Sequence, residues 1–116
     1  MKKLLIFLFF TQLSFASYSA LLFNGNCVTC HKINQSVAAP SILEIQENYK
    51  RAYPKKKEFI KSMSQWVLKP KKQTSIMQES INKYELMPEL GYQKDVLEII
   101  ASYLYDTDFK KEENLK

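Results

Sequence analysis

The sequence predicts an all-α fold of about five short helices, and three observations carry that prediction. Apolar residues recur at three- and four-residue intervals through most of the chain. No stretch shows the strict apolar–polar alternation of a half-buried strand. Each proline stands between periodic segments rather than within one, where its missing N–H would break a helix.

Taken in order, the first helix spans 19–31, with Ala20, Phe23 and Cys27 on one face and Leu22 beside them. A second starts at "SILE", where Ser41 and Glu44 have capping-box spacing. Its stripe is Ile42, Ile45, Tyr49 and Tyr53, and Pro54 closes it or opens the next. The third, 55–68, shows Phe59, Ile60, Met63, Trp66 and Val67 and stops before Pro70. A fourth begins near Ser75, with a second possible box to Gln78, and carries Ile76, Met77, Ile81 and Tyr84. "LMPELG" (86–91) breaks the pattern before the last helix, 92–105, with Val96, Ile100, Tyr103 and Leu104. No internal repeat or linker is visible. Amphipathic helices in so short a chain need something central to pack against. The "APS" and "LMPELG" breaks sit where a cofactor could enter.

A chain of 116 residues is one domain. Residues 1–16 have the layout of a signal peptide: Lys2 and Lys3, the apolar run "LLIFLFF", then small residues at Ser14 and Ala16. Cleavage is expected after Ala16. The apolar run falls short of the roughly 20 residues of a transmembrane helix, although an uncleaved inner-membrane anchor is the alternative. The expected mature chain is then a domain at 17–109 followed by a solvated tail at 110–116, "KKEENLK", placed in the bacterial periplasm. Losing Lys2 and Lys3 takes the basic count from 17 to 15 against 12 acids, a net charge of +3. That mild excess argues against nucleic acid as a partner.

Every cysteine and histidine in the chain lies in "CVTCH": Cys27, Cys30 and His31. Cys-x-x-Cys-His is the attachment site for c-type haem. Two intervening residues place both sulfurs on one side of a helical turn, each able to add to one vinyl group, and the next residue aims an imidazole at the iron. Other readings are weaker. A structural zinc site needs a fourth ligand that the chain lacks. A thioredoxin-like dithiol needs strands, and a disulfide would close a trivial loop.

With His31 used, the other iron face has only methionines to draw on. Met63 and Met77 lie on helical stripes, where methionine is usually core filler. Met87 precedes Pro88, which disfavours helix at Met87 and leaves its thioether on extended chain between two helices. Met87 is therefore the expected sixth ligand, with Met77 and an open face as alternatives.

"CVTCH", then Pro40, then "LMPEL", then a terminal helix with Tyr103 in "IIASYLYDTDF", together resemble a small single-haem class I cytochrome c over roughly 18–109. The resemblance implies a helical shell around one covalently attached haem c, with the first and last helices crossing. Phe23 and Tyr103 would be the aromatics at that crossing, with Ser19 or Ala20 permitting close approach. It also implies that the Pro40 carbonyl accepts from the His31 ring N–H, fixing the tautomer. The glycines usual in that family are scarce here, and Ala38 and Ala39 stand beside Pro40 instead.

A haem closed by His31 and Met87 has no vacant position for a small-molecule substrate, so the expected function is a one-electron carrier and not an enzyme. Thioether ligation would raise the reduction potential, as would burial under Trp66, Phe59, Tyr84 and Tyr103. The expected partners are redox proteins met by a monomer, with Lys55, Lys56, Lys57, Lys69, Lys71 and Lys72 as candidates for an acidic surface. The alternative is a gas-binding or peroxidase-like module with an open sixth site, which lacks any distal histidine.

Overall fold

The computed structural model describes residues 18–113, all-helical with no strand among them. The expected signal peptide at 1–16 lies outside the described residues. The described part of the first helix, α1, runs over 18–26, shorter than the 19–31 expected. Its end has a local cause. The side-chain amides of Asn24 and Asn26 donate to the carbonyls of Ala20 and Leu22, at 2.9 and 2.7 Å, flanking the weak helix former Gly25. Helix-like bonds nevertheless continue from Cys27 N–H to Phe23 O and from His31 N–H to Cys27 O, each 2.9 Å.

Helix α2, Ile42–Ala52, starts at Ser41, whose hydroxyl accepts from the Glu44 N–H at 3.1 Å. Lys32 and Ile33 carbonyls take the next two free N–H groups, those of Ile42 and Leu43, at 2.9 and 3.0 Å. The loop over 32–41 is thereby bound back onto the helix start. Lys50 and Arg51 in the last turn complement the helix dipole, and Pro54 follows the Tyr53 cap.

Helix α3, Lys56–Leu68, buries Phe59, Met63 and Ser64, the Ser64 hydroxyl donating to Ile60 O at 2.7 Å. A 3₁₀ turn, Lys72–Thr74, leads to α4, Gln78–Tyr84. The first expected capping box is only half made, since the Ser41 N–H goes to Ser36 and not to Glu44, and the second does not form. Ser75 instead caps a turn, its hydroxyl accepting from Met77 N–H at 3.0 Å, while the Gln78 amide donates to the Lys72 and Ser75 carbonyls at 2.7 and 2.8 Å. Met77 is consequently the non-helical residue before α4, not a member of its stripe.

Helix α5, Lys94–Asp106, buries Leu97, Ile100, Ala101 and Leu104, one face at helical spacing. It shares the main helix–helix interface with α3. There the Phe59 ring meets Tyr105 at 5.1 Å and Tyr49 of α2 at 5.9 Å, both edge-on. At the other side of α5, Phe23 of α1 lies 5.1 Å from Tyr103, the aromatic pair that the resemblance implied. The domain closes on Phe109, and the first residues of the expected tail continue it as helix. Phe109–Glu113 form a sixth helix, α6, beginning with a buried Phe109, while Lys110 and Lys111 are exposed.

Candidate functional site

One cavity of about 280 Å³ opens between these elements, and its wall is almost wholly apolar. Ile42, Ile45 and Tyr49 reach it from one face of α2, and Met63, Trp66 and Val67 from the end of α3. Leu97, Ile100, Ala101 and Leu104 close it from α5. The soft and imidazole donors sit in this wall together: Cys27, Cys30, His31, Met63, Met77 and Met87.

Cys27 and Cys30 are free thiols, Cys27 half-buried and Cys30 exposed. Burial pushes the Cys27 thiol up to about 11, so near neutral pH it remains protonated and a poor nucleophile. The Pro40 carbonyl oxygen lies 2.8 Å from His31 Nδ1. A carbonyl only accepts, so Nδ1 carries the proton and Nε2 keeps its lone pair for a metal. The contact implied by the resemblance is thus present in the fold.

The methionines divide differently from expectation. Met63 is buried on α3, as a core residue should be. Met87 is half-buried on the non-helical chain between α4 and α5. Met77 is half-buried too and equally non-helical, because the Ser75 turn delays the helix start to Gln78. Non-helical backbone therefore does not by itself separate Met87 from Met77.

The chain carrying Met87 is bracketed by two left-handed residues, Glu85 at φ 71° and Gly91 at φ 71°. Gly91 adopts that angle without a Cβ penalty, whereas Glu85, with ψ 178°, occupies a region essentially reserved for glycine. These two bends turn 86–90 toward the cavity, where Leu86, Met87, Pro88 and Leu90 contribute to the wall.

Two aromatics expected over the site are elsewhere. Phe59 and Tyr103 pack in the helix core and do not reach the cavity, while Trp66 and Tyr84 do. Trp66 is oriented by its indole N–H, which donates to Lys71 O at 3.1 Å. Tyr49 and Tyr92 line the wall without having been singled out for it. Tyr49 shares the Ile42–Ile45 stripe, so its burial was visible in the spacing but its role in the wall was not. Burial pushes the Tyr49 phenol above the ordinary tyrosine range, and negative charge on Tyr53 adds to this. The Tyr92 hydroxyl donates to Asn26 O at 3.3 Å, tying the chain before α5 to the cysteine turn. Its phenol is also shifted up, by burial and then by the nearby Cys27 and Cys30.

The donor set fits a haem and little else. Two unpaired thiols, an imidazole with its outer nitrogen engaged and thioethers surround an apolar space. Among the described residues, no three His, Cys, Asp or Glu side chains are grouped to hold a bare metal ion. A helical shell presenting this set defines a c-type haem protein. The chain belongs to the cytochrome c family, whose model, described as "Cytochrome c", matches residues 17–107. Membership brings covalently bound haem c with its iron, and it makes the all-helical architecture that of a class I cytochrome c. Members are typically electron carriers, not enzymes. Comparison with curated proteins and with solved structures gives no match.

Proposed function

We propose that the protein is a periplasmic carrier of single electrons, its haem held by Cys27 and Cys30 and its iron ligated by His31 and Met87. The observation that carries this reading is the 2.8 Å approach of the Pro40 carbonyl to His31 Nδ1, which leaves Nε2 as the free donor beside the two thiols. When bound, haem supplies a one-electron couple that needs no substrate site.

The chain's own residues set that couple. Cys27 and Cys30 anchor the group at the edge of the cavity, with Cys30 exposed. Pro40 holds the imidazole in one tautomer and orientation. Met87 offers a soft thioether from a stretch whose entry and exit are bent by Glu85 and Gly91, and such a ligand favours the reduced state. The apolar wall, including Trp66 and Tyr84, disfavours the extra charge of the oxidised state.

Export by a signal peptide ending at Ala16 is part of the same reading, since covalent attachment of haem to Cys-x-x-Cys-His takes place outside the cytoplasm. The partners are redox proteins with acidic surfaces. Lys69, Lys71 and Lys72 are the better placed cluster, because they follow α3 beside the cavity residues Trp66 and Met77. Lys55–Lys57 stand at the other end of α3, where Lys56 already pairs with Asp106 at 2.6 Å.

Expression with haem-attachment machinery and comparison of wild type, Met87→Ala and Met77→Ala tests the ligand set. The expected result is that Met87→Ala keeps its haem, loses the sulfur-to-iron charge-transfer band of the oxidised form and drops in potential. An unchanged Met87→Ala spectrum with the band lost in Met77→Ala would move the ligand to Met77.

A further inference from the structure

Pro40 and Ser41 share one peptide group, and both of its polar ends are engaged. Its carbonyl oxygen accepts from His31 Nδ1–H at 2.8 Å. Its N–H, on Ser41, donates to the Ser36 hydroxyl oxygen at 3.0 Å. The single Ser36 O–H proton goes to Glu44 Oε2, also at 3.0 Å. Three hydrogen bonds therefore run in one direction, from the Glu44 carboxylate through Ser36 and the Pro40–Ser41 peptide to the imidazole.

Peptide resonance couples the two ends: an N–H drawn toward an electron-rich acceptor shifts charge onto its own carbonyl oxygen. Aligned hydrogen bonds polarise one another, most where they are shielded from water, as the two part-buried inner links are, and less at the exposed Ser36–Glu44 link. Glu44 lies in the first turn of α2, where the dipole favours an anion, and it takes part in none of the ion pairs among the described residues.

We infer that Glu44, Ser36 and the Pro40–Ser41 peptide form a relay that places part of a carboxylate's negative charge on His31 and lowers the reduction potential of the haem iron. Glu44 and Ser36 are positioning residues for electron transfer, acting through His31. A more electron-rich imidazole stabilises oxidised iron more than reduced iron. The relay opposes the Met87 thioether and the apolar wall, so the potential is a balance between two sides of one ring. This inference rests on His31 being an iron ligand.

The test is a set of reduction potentials on the haem-loaded protein: wild type, Ser36→Ala, Ser36→Thr, Glu44→Gln and the double variant. Ser36→Ala and Glu44→Gln are each expected to favour the reduced form two- to fivefold, about 20–40 mV at 59 mV per tenfold for one electron. Ser36→Thr, which keeps the hydroxyl, is expected to retain the wild-type potential. The effects should not add, because either change interrupts the same chain. The His31 Nδ1–H proton resonance of the reduced protein should move in step, as its acceptor weakens.

A Glu44→Gln shift of equal size with and without the Ser36 hydroxyl would overturn the relay in favour of a field through space. Potentials unmoved by both single changes, with only stability affected, would overturn it as well. The His31 ring protons separate the two levels. Ring-current shifts from the haem with unmoved potentials defeat the relay alone, whereas absence of those shifts in wild type defeats the ligand reading beneath it.

Discussion

The ring of Phe109 lies 5.4 Å from that of Phe23, so the last helix of the described chain is keyed into the first. Phe109 is 1% exposed, and its ring also stands edge-on to Tyr103 at 6.3 Å. Asp108 sets up the docking by accepting from Lys111 N–H at 3.1 Å, and Lys110 adds an exposed pair with Glu47. Surface pairs of that kind contribute little, so the aromatic carries the docking. Phe109→Ala is expected to cost about 3–5 kcal/mol, read as a lower denaturation midpoint at unchanged slope. Lys110→Ala should change the midpoint by less than about 1 kcal/mol equivalent.

Gln46 joins α2 to the end of α5. Its buried amide donates to Leu104 O at 2.7 Å and Thr107 O at 2.8 Å. Gln46→Leu keeps the bulk but removes both donations, and is expected to cost about 1–3 kcal/mol. Gln46→Glu should be worse at neutral pH, since it aims a carboxylate at two carbonyl oxygens. Its deficit should shrink on acidification, when the introduced carboxyl regains a proton to donate. Urea unfolding of both variants at two pH values checks this.

Glu85 and Gly91 make opposite predictions from the same angle. Glu85→Gly relieves a conformation costing about 1–3 kcal/mol, less about 0.5–1 kcal/mol of glycine's extra chain entropy, so a net gain in stability is expected. Gly91→Ala meets no neighbouring atom but must hold φ 71°, so a loss of about 1–2 kcal/mol is expected from backbone strain alone. Thermal unfolding of the two variants gives the signs.

Tyr49 predicts a stability loss at high pH. Its folded phenol is raised above the ordinary value of about 10, so the folded state keeps a proton that the unfolded state releases. The stabilising difference is complete below about 10 and is lost as pH climbs toward the folded value. Tyr49→Phe cannot release that proton, and should flatten the fall in unfolding free energy above pH 10 relative to wild type.

Much of the site was legible because it is local. Cys27, Cys30 and His31 fall within five residues, so their grouping in one wall of the cavity was visible from spacing alone. Ser41 capping Glu44 N–H spans three residues, and the Ile42–Ile45–Tyr49 stripe spans two turns. The Pro40 contact with His31 was implied by a family resemblance and reaches across nine residues.

What escaped the sequence depends on partners brought together by folding. Met77 looked helical because its stripe continues into Ile81, yet the Ser75 hydroxyl captures its N–H and delays the helix. Phe59 and Tyr103 are as apolar as Trp66 and Tyr84, and only the packing of the helices decided which pair faces the core and which the cavity. Tyr92 finds Asn26 across 66 positions, and Gln46 finds Thr107 across 61. Ser36 carries no signal in a polar loop until the chain folds back to set its hydroxyl between the Ser41 N–H and the Glu44 carboxylate. The amino-acid order alone determined the helical class and grouped both cysteines and the imidazole in one turn. Tertiary structure decided which side chains surround that imidazole, since periodicity says which face is buried but not what it is buried against.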